Sequence, residues 1–437
     1  MKKNRLLIEN FGPIKKAQID LKDMLVFIGP QSSGKSTLAK LITILNDFNF
    51  KQNDSIQLID ELKKYNLESF LKSNTKIVYQ TSFFNFQYNK KEEVKIDYES
   101  YYKNLHSESK LLIKLKKALI NLMISSIIID DKLELLFKEL YKNIDFGINQ
   151  NLKNLKLEVS FNERIDYILE SYKMNPNDTL VLDNLFNVVS KVFPFISPVD
   201  SMYIPAERML LPIISSNIAG LINNKVNIPN HIIQATQEFE KAIQNVDSID
   251  LNIIGDLRYK RKSGTSYIYH NRNQKIKLKE ASSGVQSILP ILLLIESSLQ
   301  NKSYINLNYV VEEPELNLYP QAQYELIKYL VKNCLETGGN NLKTKNLIIT
   351  THSPYILTAI NNLLLASSKG KNNKTETEEI VPSSSWINPE KFNAYEVKNG
   401  KVKRIFNSKV KLIEETIIDD VSENMIEDFK DLASIYD

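Results

Sequence analysis

Eight consecutive residues, Gly29-Pro30-Gln31-Ser32-Ser33-Gly34-Lys35-Ser36, carry the spacing G-x-x-x-x-G-K-[ST] and follow the apolar run Met24-Leu25-Val26-Phe27-Ile28. Glycines at both ends of such a loop let backbone N–H groups fold around phosphate oxygens, and a helix starting at about residue 35 aims its positive end at them. Lys35 would bridge the β- and γ-phosphates, Ser36 would set its hydroxyl on Mg²⁺, and Thr37 would lie on the first helical turn beside them. Glycine is scarce, 12 in 437 residues, against a usual share of about 7%. An ordinary glycine turn is therefore a poor account of this spacing directly after a strand-like run. The chemistry expected here is the binding of a nucleoside triphosphate.

Three further groups stand downstream. Asn308-Tyr309-Val310-Val311 is an apolar strand that ends in Glu312-Glu313-Pro314-Glu315. Glu312 would hold the hydration shell of Mg²⁺, and Glu313 would polarise the attacking water, a general-base role worth about 10² to 10⁴ in rate. Alone, the pair would read as a capped strand end with solvated acids; Pro314, which fixes the turn, and the phosphate loop upstream favour the catalytic reading. A second apolar strand, 346–351, ends at His352-Ser353-Pro354. His352 would contact the γ-phosphate or orient the water, because ligands of α/β sheets bind outside the strands' carboxyl ends. Ala281-Ser282-Ser283-Gly284-Val285-Gln286 opens an apolar helix over 287–298 and offers a second anion site. A helix cap accounts for one of these serines but does not require the glycine.

Each of these groups needs a strand end or a helix start to hold it. Residues 6–11 and 17–21 read as strands about the Gly12-Pro13 turn, and 24–28 as a buried strand. Past residue 50, 76–88 and 94–98 look like strands. Residues 107–144 are helical with apolar side chains on nearly every face, which suits a buried helix better than an exposed coiled-coil arm. Residues 155–161 alternate as a half-exposed strand, and helical stretches at 162–172 and 178–192 lead to Pro194 and Pro198. Strand-like sequence returns at 201–204, a helix at 232–245 and a hairpin over 251–278. The expected organisation is a catalytic domain that begins in 1–50, is interrupted by a mostly helical insertion over 51–200, resumes over 201–405, and ends in an acidic helical tail over 406–437. Residues 370–379 read as a mobile loop, and Asp419-Asp420 as a solvated or partner-facing pair on the tail.

Composition narrows the class. With 43% hydrophobic residues and a formal charge of +4, the chain can bury a substantial core and carries no global basic field. The longest apolar run, 288–295, is far below the roughly 18 residues of a membrane helix, and the N-terminus lacks the apolar stretch of a signal peptide. A single cysteine, Cys334, fits a reduced cytoplasmic setting. His106, His231, His270 and His352 are scattered, none at zinc spacing. Positive charge is local. Between 256 and 280, Arg258, Lys260, Arg261, Lys262, Arg272, Lys275, Lys277 and Lys279 face only Asp256 and Glu280, with Tyr259, Tyr267 and Tyr269 interleaved. Two readings stand side by side: a nucleic-acid surface, and a solvated strand face whose lysines block edge pairing.

Taken in order, Gly29 to Ser36, Ser282-Ser283-Gly284, Glu312-Glu313 and His352 resemble the phosphate loop, signature motif, acidic strand and switch histidine of ABC-type ATPase heads. The opening Ile8-Glu9-Asn10-Phe11-Gly12-Pro13-Ile14 is similar to the SMC, RecF and OLD branch. Ile204-Pro205-Ala206-Glu207-Arg208 and Glu312-Glu313-Pro314-Glu315-Leu316-Asn317-Leu318 resemble a group of bacterial AAA-type ATPases, many of which serve anti-phage systems of the Septu, retron and PARIS types. The resemblance spans 1–45 and 200–405 and leaves the insertion unmatched. Glu312 stands where most such proteins have aspartate and Gln31 where asparagine is usual; Gln80 is the candidate for the magnesium-sensing glutamine.

This resemblance implies an α/β fold, a mixed sheet with flanking helices plus an antiparallel β lobe, and ATP and Mg²⁺ as cofactors. It implies that ATP is sandwiched between the phosphate loop of one head and Ser282, Ser283 and Gly284 of another, in a homodimer or higher oligomer. The expected function is an ATP-hydrolysing switch subunit of an anti-phage or DNA-maintenance system, with a separate nuclease or toxin as effector and no membrane partner. A slow-hydrolysing scaffold that cages a partner toxin and a RecF- or SMC-like DNA clamp using the basic hairpin are the alternatives. OLD-type relatives carry a nuclease domain after the ATPase, for which residues 353–437 are too few.

Overall fold

The computed structural model describes residues 4–47, 50, 56–81, 85–89, 92–96, 199–270, 274–300, 306–335, 345–414 and 417–435. The chain divides into two units, Met1–Tyr98 with Val199–Gly339 and Lys343–Asp437, and Glu99–Pro198 with Asn340–Leu342. The second unit, with the helices expected at 107–144, 162–172 and 178–192 and the strand at 155–161, lies outside the described residues.

In the first unit, β1 (Arg5–Phe11) and β2 (Ile14–Asp20) form a hairpin about Gly12-Pro13. β3 (Met24–Ile28) leads to α1 (Lys35–Asn46), followed by α2 (Leu58–Lys64), β4 (Leu71–Gln80), β5 (Asn85–Asn89) and β6 (Glu92–Ile96). After the second unit come β7 (Val199–Ile204), a 3₁₀ turn (Ala206–Leu210), α3 (Leu211–Asn223) and α4 (Asn230–Asn245). A separate four-stranded sheet is built from β8 (Ser248–Asp250), β9 (Leu257–Lys262), β10 (Thr265–His270) and β11 (Gln274–Lys277). Then α5 (Ser283–Gln300), β12 (Asn306–Glu312), α6 (Pro320–Cys334), β13 (Lys345–Thr351), α7 (Pro354–Lys369) and α8 (Lys374–Ile380) alternate. The chain closes with β14 (Phe392–Lys398), β15 (Lys401–Arg404), a short ribbon of β16 (Phe406–Asn407) and β17 (Leu412–Ile413), and α9 (Ile417–Ala433).

Eleven strands make one mixed sheet in the order β6-β5-β4-β1-β2-β15-β14-β3-β13-β12-β7. Its first five strands pair antiparallel, and β14, β3, β13, β12 and β7 run parallel. The apolar runs of the parallel half follow from burial on both faces. Side chains alternate across a strand, so Met24, Val26 and Ile28 enter one core with α4, α5, α6 and α7, whereas Leu25 and Phe27 enter the other with α1 and the β1–β2 hairpin. β12 and β13 repeat the pattern, with Tyr309 and Ile349 on the first side and Val310 and Ile348 on the second. This is the α/β architecture with an antiparallel lobe expected above.

Four local expectations need correction. The insertion expected from 51 does not begin there, because residues up to Tyr98 belong to the first unit and β4 pairs with β1 in its main sheet. The basic segment is not a simple hairpin, because β9 and β10 are extended by β11 on one side and β8 on the other. Residues 370–379 contain a helix, α8, whose first turn holds Glu376 near its N-terminus and whose Thr377 Oγ1 donates to Asn373 O at 2.6 Å. The tail does not begin at 406. Phe406 and Ile413 are buried, and Asn361 on α7 binds Ile413 through both its amide groups; the helical part starts at Ile417.

Candidate nucleotide site

Register aligns the site before any side chain is considered. Ile28 pairs with Thr351, Thr350 with Glu312, and Val311 with Ile204, so four parallel strands end in one row, the edge beyond which such sheets bind ligands. The phosphate loop leaves β3 at this edge. Gly29 has φ 152°, and a Cβ there would lie 2.1 Å from Val397 O of β14; Gly34 has φ 108°, and a Cβ there would lie 2.6 Å from Ile14 Cδ1. Both positions are closed to larger residues, so the N-terminal hairpin and β14 press the loop into its cradle. Lys35 opens α1, is 4% exposed, and donates from Nζ to Gly29 O (2.9 Å) and Pro30 O (2.8 Å). Burial lowers its pKa to about 8, while Glu313, Glu315 and Glu312 pull in the other direction. The result is a cation folded onto the loop whose backbone would receive phosphates.

The acidic turn faces it. Glu312 is 3% exposed, burial raises its pKa, and Lys40, Tyr203 and Ser36 work against that rise. Its Oε1 has no hydrogen-bond partner among the described residues. A buried carboxylate with an unsatisfied oxygen beside the phosphate-loop serine is a donor set that suits Mg²⁺. Glu313 follows with φ 42°, a conformation secured by its N–H donating to Thr350 O at 2.9 Å. That turn sets Glu313 Oε1 3.0 Å from His352 Nε2. The hydrogen bond from His352 holds the Glu313 carboxyl below its ordinary pKa, with burial opposing. His352 Nδ1 lies 3.5 Å from Lys35 Nζ. An ammonium has no acceptor, so a hydrogen bond between these two atoms requires Nδ1 to accept, which leaves Nε2 to donate to Glu313. Lys35, His352 and Glu313 thus form one chain across the loop.

Glu315, which the sequence reading left without a role, fixes His352 in place. Its Oε1 accepts from His352 N (2.7 Å) and from Thr351 Oγ1 (2.8 Å). Ser353 then caps α7 by accepting from Tyr355 N. Arg208, also without an assigned role, is fully buried and donates to the carbonyls of Glu312 (2.8 Å) and Glu313 (2.8 Å). The available signal was a charged pair, Glu207-Arg208, separated from the end of β7 only by Pro205-Ala206. Beside Ser36, Thr37 and Lys40 lies a cavity of about 670 Å³ that Glu207, Tyr65 and His231 also line. His231 Nε2 is 3.5 Å from Lys40 Nζ, and burial, with that cation, lowers its pKa to about 4, so it is neutral near pH 7.

Other expected residues lie elsewhere. Ser282 and Ser283 are exposed at the start of α5, and none of the hydrogen bonds among the described residues joins them to the phosphate loop. Gln80 accepts from Arg5 Nε at 2.6 Å. Arg5 is the far end of β1 from Phe11 and the Gly12-Pro13 turn, about 20 Å along a strand of this length, so Gln80 cannot sense an ion at Ser36. On the four-stranded sheet, Lys260 and Lys262 lie over the Tyr269 ring and Lys275 over Tyr267, whereas Arg258 pairs with Asp250 and Arg261 donates to Ile243 O.

A parallel sheet edge with a glycine-bounded phosphate-loop motif, a buried carboxylate at the next strand but one and a carboxylate–histidine pair between them defines a P-loop ATPase. The sequence profile of the AAA ATPase domain matches residues 1–357, and the chain belongs to that family. The matched segment includes the region that the motif resemblance left uncovered and stops short of residue 405. None of the curated proteins matches the chain. Solved structures similar to it include an Smc head domain with an extended coiled coil bound to the C-terminal domain of ScpA, from Pyrococcus furiosus, at 12% identity over 98% of this chain and 99% of that one, TM-score 0.37. Others are the SMC head domain from Thermotoga maritima, at 11% identity over 93% and 98%, TM-score 0.33, and an SmcHead bound to the C-winged helix domain of ScpA, at 11% over 93% and 97%, TM-score 0.37. Likeness this loose says nothing about the site. No helix among the described residues is long and apolar enough to cross a membrane.

Proposed function

We propose that this ATPase works as a switch in which two copies close head to tail over two ATP molecules, each copy giving its phosphate loop to one site and Ser282, Ser283 and Gly284 to the other. The observation that carries the ATP-hydrolysing half of this reading is the Lys35–His352–Glu313 chain, which sets a carboxylate and a cation on either side of one imidazole. In use, Lys35 leaves the carbonyls of Gly29 and Pro30 for the β- and γ-phosphates. Glu313, kept ionised, accepts the proton of the attacking water, and His352 fixes the direction of that carboxylate. Ser36 and Glu312 would hold Mg²⁺, which supplies charge neutralisation on the phosphates when bound. Ser282 and Ser283 at the start of α5 are exposed and so open to a second copy. Turnover should require Lys35 and Glu313, with Lys35→Ala losing ATP binding and Glu313→Gln retaining it; equal turnover of either variant and the parent chain would overturn the assignment.

The switch serves a bacterial anti-phage or DNA-maintenance system through a separate effector, a nuclease or toxin. The motifs Ile204 to Arg208 and Glu312 to Leu318 support that assignment. Copurification of an untagged effector encoded beside this gene, in an ATP-dependent manner, tests it; an effector that is active and unregulated with the ATPase present contradicts it. Lys260, Lys262 and Lys275 over tyrosine rings favour a second reading, a clamp on DNA.

A further inference from the structure

Arg208 carries more hydrogen bonds than any neighbour of the site. Nε donates to Ser287 O (2.9 Å); Nη1 to Glu312 O (2.8 Å) and Pro205 O (3.3 Å); Nη2 to Glu313 O (2.8 Å), Ser287 Oγ (3.2 Å) and Pro314 O (3.4 Å). None of these acceptors is a carboxylate, although the side chain is fully buried. A buried guanidinium without a direct ion pair is costly, so its geometry has to be worth keeping. What the fork joins is specific. One side holds the three carbonyls of the acidic turn, including that of Glu313 at its positive φ. The other holds Ser287, about one turn past the start of α5. A second contact ties the same two elements, because a Cβ on Gly284 would come within 3.1 Å of Asn317 O, and Asn317 Nδ2 reaches Met209 Sδ at 3.0 Å. The acidic turn, the 3₁₀ turn around Arg208 and the first turns of α5 are therefore one block.

We propose that Arg208 is a positioning residue that locks the catalytic turn of its own nucleotide site to the serine-bearing start of α5, which serves the site on the other copy. The proposal rests on the two-copy reading above and adds to it that the two sites move together. A shift of Glu313 when phosphate enters or leaves one site is passed through the planar fork to Ser282, Ser283 and Gly284 at the other. Lysine cannot substitute, since a single nitrogen cannot span the turn and the helix at once.

Mixed dimers carrying two different affinity tags test this. One copy carries Lys35→Ala, so only one site fires: the one made from the intact copy's phosphate loop and the altered copy's α5. Arg208→Lys is then added to either copy. Placed in the intact copy it should lower turnover about tenfold by misplacing Glu313. Placed in the Lys35→Ala copy, which gives the firing site nothing but α5, it should also lower turnover about tenfold, with fluorescent-ATP affinity of the intact loop unchanged before closure. A role confined to the acidic turn of its own site would leave the second arrangement at the control rate, and that result overturns the proposal. Ser287→Ala in the Lys35→Ala copy removes only the Oγ acceptor and covers the case in which Arg208→Lys does not fold; it should cost about two- to threefold, and an unchanged rate again overturns the coupling. A pair of unsubstituted copies that never dimerises with ATP overturns the two-copy reading itself, an outcome visible before any Arg208 variant is made.

Discussion

In the proposed mechanism ATP binding turns on Lys35, and its environment gives it a pH signature. Its pKa in the free protein is lowered to about 8, and the phosphates favour its protonated form, so ATP affinity should hold steady from about pH 6.5 to 7.5 and weaken as pH rises through about 8, approaching tenfold per unit. Titration calorimetry across that range checks this; affinity that is flat to pH 9.5 would contradict it. Glu313→Gln should lower turnover by about 10² to 10⁴. His352→Ala should lower it less, because it removes the orienting hydrogen bond and leaves the base, and it should return the Glu313 carboxyl toward its ordinary pKa, moving the acid limb of the pH–rate profile upward. An unmoved limb would count against the 3.0 Å pair. These three residues were legible because each ends a pattern: a glycine spacing, or an apolar run that stops at a polar group. Arg208 and Glu315 were not. Arg208 binds the carbonyl of a residue 104 positions away, and Glu315 acts on the backbone of His352, partnerships that depend on which strands are neighbours.

At the scale of elements, strand order does the positioning. Gly29→Ala would drive a Cβ toward Val397 O, a backbone atom that cannot move aside, and should abolish ATP binding while leaving a folded protein; retained affinity by fluorescent-nucleotide titration would show that β14 does not shape the loop. The separate basic sheet gives a different test. If it binds DNA, neutralising Lys260, Lys262 and Lys275 together should reduce the salt slope of binding by about 0.9 for every phosphate that these lysines had neutralised, whereas a solvated face would leave a weak affinity unchanged. β3, β12 and β13 were readable from sequence because burial on both faces demands continuous apolar runs. α8 and the β16–β17 ribbon were not: the first is a polar, exposed helix of seven residues, and the second consists of two-residue strands held by Asn361 and the core, so neither has enough periodicity to be seen.

The whole molecule poses the question of closure. The phosphate-loop backbone, Glu313 and His352 are joined within one chain, whereas the serines at the start of α5 are exposed and make no hydrogen bond to the loop among the described residues. The antiparallel lobe lies against the loop through Pro13 and Ile14 at Gly34, and Gly400 O accepts from Lys15 N and Lys16 N, so the lobe and the parallel half brace the site together. The acidic α9, with Met425, Phe429 and Leu432 exposed, follows the family-matched segment. Sedimentation of Glu313→Gln with and without ATP reads closure itself. A monomer is expected without nucleotide, a dimer with ATP, and a return to monomer that still binds ATP when Ser282→Arg is added; a monomer saturated with ATP, or a dimer indifferent to Ser282→Arg, would refute the two-copy switch.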